Sequence, residues 1–154
     1  MWADPRVSAL TTLRVPPTRQ QVREMIDGAA RMWLDRGFGP WDAVERLSGR
    51  WIGRVGLFEL EVWPGPEDVE VGFELLPEFW GRGFATEGAI EGIRCGFGKG
   101  LGRIISVTTR QNEPAQAAMR KSGLVFAGSR SWKGCDVVWY VIDRPPGKIE
   151  ATEI

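Results

Sequence analysis

The chain has 154 residues, 43% of them hydrophobic and eight of them tryptophan, which suffices for a real core and most simply makes one domain over 1–154. Twenty basic residues balance twenty acidic ones, so no global field argues for nucleic acid or a membrane surface. Histidine is absent, which removes the commonest general base, the commonest metal ligand and every Ser-His or Cys-His arrangement, and no Cys or carboxylate cluster has metal-ligand spacing.

Residues 1–10 carry no signal-peptide core, and no apolar run approaches a membrane span. Val22, Ile26, Ala29 and Trp33 share one face of a helix from about 18 to 36, with Thr18 as its N-cap and Gly37 as its stop. Segments 41–46 and 50–60 read as an antiparallel hairpin closed by Leu47-Ser48-Gly49. An apolar strand follows at 69–76. Then come a glycine loop and a helix to about Gly98, with Ala85, Ala89, Ile90, Ile93 and Phe97 at helical spacing. A strand at 103–109, a short helix at 112–122 ended by Gly123, and a last strand pair at 124–129 and 136–142 complete the order. The core then runs over about 18–143, and the tail from Pro145 reads as loosely ordered. Cys95 falls in a helix and Cys135 in a strand, so both are expected as free thiols in a reducing compartment, the cytoplasm.

The loop Gly81-Arg82-Gly83-Phe84-Ala85-Thr86 is the most informative stretch. A strand feeding a glycine loop that opens a helix aims free backbone N–H groups and the positive end of the helix dipole at one point. That is a main-chain anion site suited to phosphate or pyrophosphate. A dinucleotide fingerprint would need a third glycine at 86, which is Thr, and a βαβ start where a hairpin stands instead. Gly96-Phe97-Gly98-Lys99-Gly100 lacks P-loop spacing and lies at a helix end.

With this order of elements the chain resembles the GNAT superfamily of N-acetyltransferases, which use acetyl-coenzyme A. It looks most like the RimJ/RimL-like branch of ribosomal-protein N-terminal acetyltransferases. The matching text is Val69-Glu70-Val71-Gly72-Phe73, then Leu75-Leu76-Pro77-Glu78-Phe79-Trp80 and the glycine loop up to Glu87. Residues 112–123 resemble the second motif of the family, and 49–57 its third strand. The resemblance implies a mixed α/β fold: a central, mostly antiparallel sheet flanked by helices and splayed where 69–76 meets 103–109. Acetyl-CoA would enter that splay, with no metal. On this reading Gly81, Arg82, Gly83, Phe84, Ala85 and Thr86 hold the pyrophosphate, with Trp80 as an atypical first motif residue. Leu75 and Leu76 end the strand whose main chain pairs with the pantetheine arm, and Asn112 lies near that arm. The implied reaction is direct acetyl transfer to a primary amine, either a peptide or protein N-terminus or a small amine. A catalytically weak acyl-CoA sensor of the same fold is the alternative, and an interaction domain whose loop is only a turn is a third reading.

Glu70 is the candidate general base, because strand alternation puts it with Gly72 and Glu74 on one face, opposite Val69, Val71 and Phe73. A solvated strand-face charge is the competing reading of the same residue. Glu87, in the first helical turn, suits capping. Relatives often carry a tyrosine or a serine as general acid where this chain has Met119 and Ala115, and Tyr140 reads as a buried strand aromatic. Asn112 can serve as N-cap, as ligand contact, or as both. Trp33, Trp41 and Trp132 are candidates to line an acceptor groove. The extra N-terminal strand of relatives is missing, which leaves the 41–46 edge open and points to a shortened chain or a covering partner subunit, a homodimer.

Overall fold

A computed structural model describes residues 1–147, so most of the tail expected to be loose lies outside the described residues. The elements are α1 (Pro5–Ser8), α2 (Arg19–Arg36), β1 (Pro40–Val44), β2 (Trp51–Glu59) and β3 (Val69–Leu75). A tight helical turn at Pro77–Phe79 follows, then α3 (Phe84–Gly98), β4 (Arg103–Thr109), α4 (Glu113–Lys121), β5 (Val125–Trp132) and β6 (Cys135–Asp143). The six strands form one sheet in the order β1-β2-β3-β4-β6-β5. Only β3 and β4 run parallel, and every other neighbouring pair is antiparallel. This is the splayed mixed sheet that the resemblance implies.

Local chemistry sets the element ends. Thr18 and Gln21 form a reciprocal capping box at the start of α2, and Gly37 ends it in the left-handed conformation at φ +70°. The Asn112 side chain caps α4 by accepting the Ala115 N–H at 3.3 Å.

One face of the sheet carries α3 and α4. There Ala89 and Ile93 of α3 and Ala115 and Met119 of α4 pack on Leu57, Val71, Ile104, Val138 and Tyr140. Three glycines one turn apart let α3 sit close. A Cβ on Gly88 would lie 2.7 Å from Val55 Cβ, one on Gly92 3.0 Å from Val71 Cγ2, and one on Gly96 2.6 Å from Ile104 Cδ1. The sheet-facing stripe is therefore Gly88, Ala89, Gly92, Ile93 and Gly96. Ile90, grouped with that stripe by its spacing, is 49% exposed. Hydropathy misplaces the stripe because glycine carries no apolar signal yet permits the closest approach. Likewise Met32 is the only buried residue of α2, and its expected apolar face is largely open.

No strand precedes β1 among the described residues, and β1 is a sheet edge. The edge is partly blunted from within. Trp33 Nε1 donates to the Pro40 carbonyl at 2.9 Å, and its ring packs on Trp41 at 6.4 Å. Residues 1–14 do something else, crossing the second face of the sheet.

Gly88→Ala and Gly98→Ala test the close approach of α3, since both add the same helix propensity but only Gly88 meets atoms within 4 Å. Urea unfolding is expected to show Gly98→Ala stabilised by up to about 1 kcal/mol and Gly88→Ala falling roughly 1–3 kcal/mol below it. Equal stabilities would mean that α3 stands off the sheet.

Candidate active site

The site begins where β3 and β4 part. They share a single register pair, Glu70 with Ile105, whereas β2 and β3 share seven. Leu76 N–H and Leu60 N–H bond across the β2–β3 pair, to Ile52 and Asp68 respectively. Strand alternation then turns the main-chain groups of Val71, Phe73 and Leu75 toward β4. The next parallel rung would join the Val71 carbonyl to the Val107 N–H. Two side chains replace it: Ser106 Oγ donates to the Val71 carbonyl at 2.7 Å, and Val107 N–H donates to Glu70 Oε2 at 3.1 Å. Glu70 is thus the wedge at the vertex of the divergence. Farther out, Trp80 Nε1 donates to the Leu75 carbonyl at 2.8 Å. The Phe73 main chain and the Leu75 N–H remain facing the gap.

Glu70 as a residue is half-buried, with its carboxylate at the enclosed end of the side chain. Burial pushes its pKa from the ordinary 4.5 up to about 8. The Val107 N–H and Lys133 oppose that rise, and Glu74 adds to it.

At the open end of β3 lies the glycine loop. Gly81 and Gly83 hold φ of +71° and +85°, and a Cβ on either would meet nothing within 4 Å. Glu87 N–H makes the first helical bond of α3, to the Gly83 carbonyl. Among the described residues, no protein atom accepts an N–H from 81–86. The N–H groups of 81–86 are therefore left without a protein acceptor at the positive end of a 15-residue helix, with open space beside Gly81 and Gly83. The Arg82 guanidinium is held back from that space. It pairs with Glu45 and lies over the rings of Phe79 at 5.3 Å and Phe84 at 5.0 Å. This clamp fixes the loop to the β1–β2 turn and leaves the main chain of Arg82 as its contribution.

The second face of the sheet carries Glu70 and Glu74, opposite Phe58 and Arg54 of β2 in register. Residues 1–14 cross it. Trp2 Nε1 donates to Glu74 Oε2 at 3.1 Å, and Arg54 Nη2 bonds the same oxygen at 2.9 Å. The Arg54 guanidinium lies between the rings of Trp2, at 4.6 Å, and Phe58, at 5.2 Å. Thr109 Oγ1 donates to the Leu10 carbonyl at 3.4 Å, and Cys135 Sγ to that of Thr12 at 3.5 Å. With Trp2 tied to β3 and Leu10 to β4, α1 bridges the two arms of the divergence.

Glu70 and Leu75 thus lie on the strand that borders the gap, and residues 81–86 follow that strand into α3. Leu76 lies beside them, but its N–H is already bonded to the Ile52 carbonyl on the β2 side. Asn112 sits on the far arm, after β4, with its side chain engaged as a cap. Ala115 and Met119 are buried in the core. The Tyr140 hydroxyl donates to Gln116 Oε1 at 3.1 Å and accepts from Arg120 at 2.9 Å. The tryptophans do not converge: Trp33 and Trp41 pack at the β1 edge, and Trp132 packs on Trp63 on the second face. Sequence reading missed Ser106 and Arg54; Arg54 is the one polar side chain inside an otherwise apolar strand, which is a usable signal, whereas Ser106 shares its strand with Thr108 and Thr109 and does not stand out. Trp2 gave none. Among the described residues no helix is long and apolar enough to cross a membrane, and no group of three or more His, Cys, Asp or Glu is placed to hold a metal.

Comparison with known proteins places this geometry. The model of the acetyltransferase (GNAT) domain matches residues 1–125. The chain is 32% identical over 124 residues to FsC-acetyl coenzyme A-N(2)-transacetylase of Aspergillus fumigatus, covering 77% of this chain and 48% of that protein. It is 30% identical over 110 residues to the uncharacterized N-acetyltransferase YoaA of Bacillus subtilis, covering 71% of this chain and 61% of that one. It therefore spans about half to three-fifths of the length of these relatives. An acetyltransferase from Agrobacterium tumefaciens superposes with a TM-score of 0.78 at 22% identity, covering 93% of this chain and 81% of that one. The chain belongs to the GNAT family of acetyltransferases.

Proposed function

We propose that this protein transfers an acetyl group from acetyl-CoA directly to a primary amine, with a peptide N-terminus as acceptor. The observation that carries this reading is the set of six free N–H groups at 81–86, which abut the gap between β3 and β4. Those amides suit a diphosphate, which needs several donors. Gly81 and Gly83 leave room for phosphate oxygens, and the freed main chain of Phe73 and Leu75 suits the amides of a pantetheine arm. Asn112 would cap α4 and flank that arm. The peptide acceptor rests on the RimJ/RimL-like resemblance of residues 69–87.

Glu70 is assigned as the general base. The acceptor ammonium gives a proton to its carboxylate, directly or through one water. The neutral nitrogen then attacks the thioester carbonyl carbon, the C–S bond breaks, and the coenzyme leaves as thiolate to be protonated by solvent or by the amine proton. A base near 8 is matched to an amine donor, although at pH 7 most of the carboxyl is protonated. Positioning and the N–H groups of the gap supply the remaining rate.

Asn and Asp both tolerate the left-handed φ of Gly83 and have nearly the same shape, so they separate charge from bulk at the phosphate site. In calorimetric titration with coenzyme A, Gly83→Asp is expected to weaken binding at least about tenfold more than Gly83→Asn. Equal affinities of the two variants would remove the diphosphate from this loop.

Glu70 also links stability to pH. Between about 4.5 and about 8 the unfolded chain has released this proton and the folded one still holds it, so stability falls as pH rises through that window and levels off above it. Glu70→Gln keeps an acceptor for the Val107 N–H without ionising. Its melting temperature is expected to lose that pH dependence, while turnover drops about a hundredfold or more and coenzyme A affinity is retained. Turnover equal to the parent across the pH range would place the base elsewhere.

A further inference from the structure

Ser106 is 1% exposed, in a stretch of β4 where Ile104 and Ile105 are as deeply buried. Alternation sets it with Ile104 on the face that carries α3 and α4, and its register partner on β6 is Tyr140. Glu70 lies on the opposite face, so any effect of one on the other passes through the main chain. A hydroxyl in such surroundings costs free energy unless it is bonded. Among the described residues its one bond is to the Val71 carbonyl, at 2.7 Å.

The Val107 N–H is contested by two acceptors. A regular parallel ladder would give it to the Val71 carbonyl, but the Glu70 carboxylate holds it at 3.1 Å. Val71 is fully buried, so its carbonyl needs a donor. Without the Ser106 hydroxyl, the donor that the ladder supplies is the Val107 N–H. That exchange would add one rung, close the inner end of the gap and strip the Glu70 carboxylate of its backbone donor. The same device recurs at the outer end, where Trp80 Nε1 caps the Leu75 carbonyl at 2.8 Å. Between these two side-chain caps, the Phe73 carbonyl stays free on the edge of β3 that faces β4.

We propose that Ser106 is a positioning residue: by occupying the Val71 carbonyl it reserves the Val107 N–H for Glu70 and keeps the ladder from closing over the gap. The consequence for catalysis rests on the acetyl-transfer reading with Glu70 as base; the competition between hydrogen bonds does not. Of the groups that oppose the rise of the Glu70 pKa to about 8, the Val107 N–H is the stronger, so its loss drives that pKa higher still. The other charges facing Glu70 are Glu74 on its own strand and Lys133 in the β5–β6 turn. Arg54 of β2 is bonded to Glu74, and Asp4 and Arg6 of the N-terminal segment pair with each other. None of these bonds involves Ser106, so its hydroxyl can be removed without disturbing them.

An NMR titration that follows the Glu70 carboxyl carbon and the Val107 amide proton tests this in the parent, Ser106→Ala and Ser106→Thr. In the parent the two signals should share one midpoint, because the carboxylate is the acceptor of that N–H. Ser106→Ala is expected to raise the carboxyl midpoint by about one pH unit or more, the worth of one hydrogen bond to a charged group, and to uncouple the Val107 proton from it. Ser106→Thr keeps the hydroxyl and should restore both. With less carboxylate at neutral pH, kcat/KM of Ser106→Ala for an amine acceptor should fall about tenfold at pH 7 and recover as pH rises. An unmoved midpoint with a still-coupled Val107 proton in Ser106→Ala, whatever its melting temperature, would mean that the hydroxyl only fills a buried bond, and would overturn the proposal. A raised midpoint that persists in Ser106→Thr would trace the shift to packing and overturn it as well. A raised midpoint with an unmoved pH–rate profile would leave the proposal standing and remove Glu70 as the base.

Discussion

A single missing rung organises this molecule. Strands β3 and β4 begin as parallel neighbours at Glu70 and Ile105, and the ladder stops there because two side chains take over its next partners. Ser106 occupies the Val71 carbonyl, and the Glu70 carboxylate occupies the Val107 N–H. Neither backbone group is left orphaned, so the strands can part without the penalty that opening a sheet normally carries. The gap that results frees main-chain groups of Phe73 and Leu75 in the interior of the sheet. The residue that wedges it open is also the one suited to accept a proton. Under the proposed mechanism, opening the sheet and placing the base would be one event carried by Glu70.

The polar groups left without partners differ in what they imply. Those of residues 81–83 are exposed to water, so their N–H groups are solvated and cost little when no ligand is present. They represent readiness rather than strain. Ser8 Oγ and Arg54 Nε are enclosed, and each withholds on the order of 1–3 kcal/mol from the folded state. Such a sum is a sizeable fraction of the stability of a small protein.

Much of this was legible in the sequence. Gly81 and Gly83 announced the loop because only their backbone freedom suits a strand that turns into a helix, and alternation placed Glu70 on the correct face. The splay between 69–76 and 103–109 came from the family resemblance and from a connection long enough to make those strands parallel. The Gly88, Gly92 and Gly96 stripe was hidden because close packing by glycine leaves no apolar signature. Arg82 looked like a phosphate ligand because nothing local reveals that Glu45, 37 positions earlier, holds it. The same long-range logic hid the strap formed by Trp2 and Leu10, which depends on Glu74 and Thr109. Contacts across such separations are written in three dimensions only.

The most direct measurement of the central claim is an amide-resolved NMR titration of the protein with coenzyme A. Bound diphosphate should shift the N–H resonances of residues 81–86 most strongly and downfield, as expected for donors gaining charged acceptors, with Phe73 and Leu75 following as the arm enters the gap. Saturable binding with those resonances unmoved would contradict the account, since the open loop and the parted strands would then serve some other end.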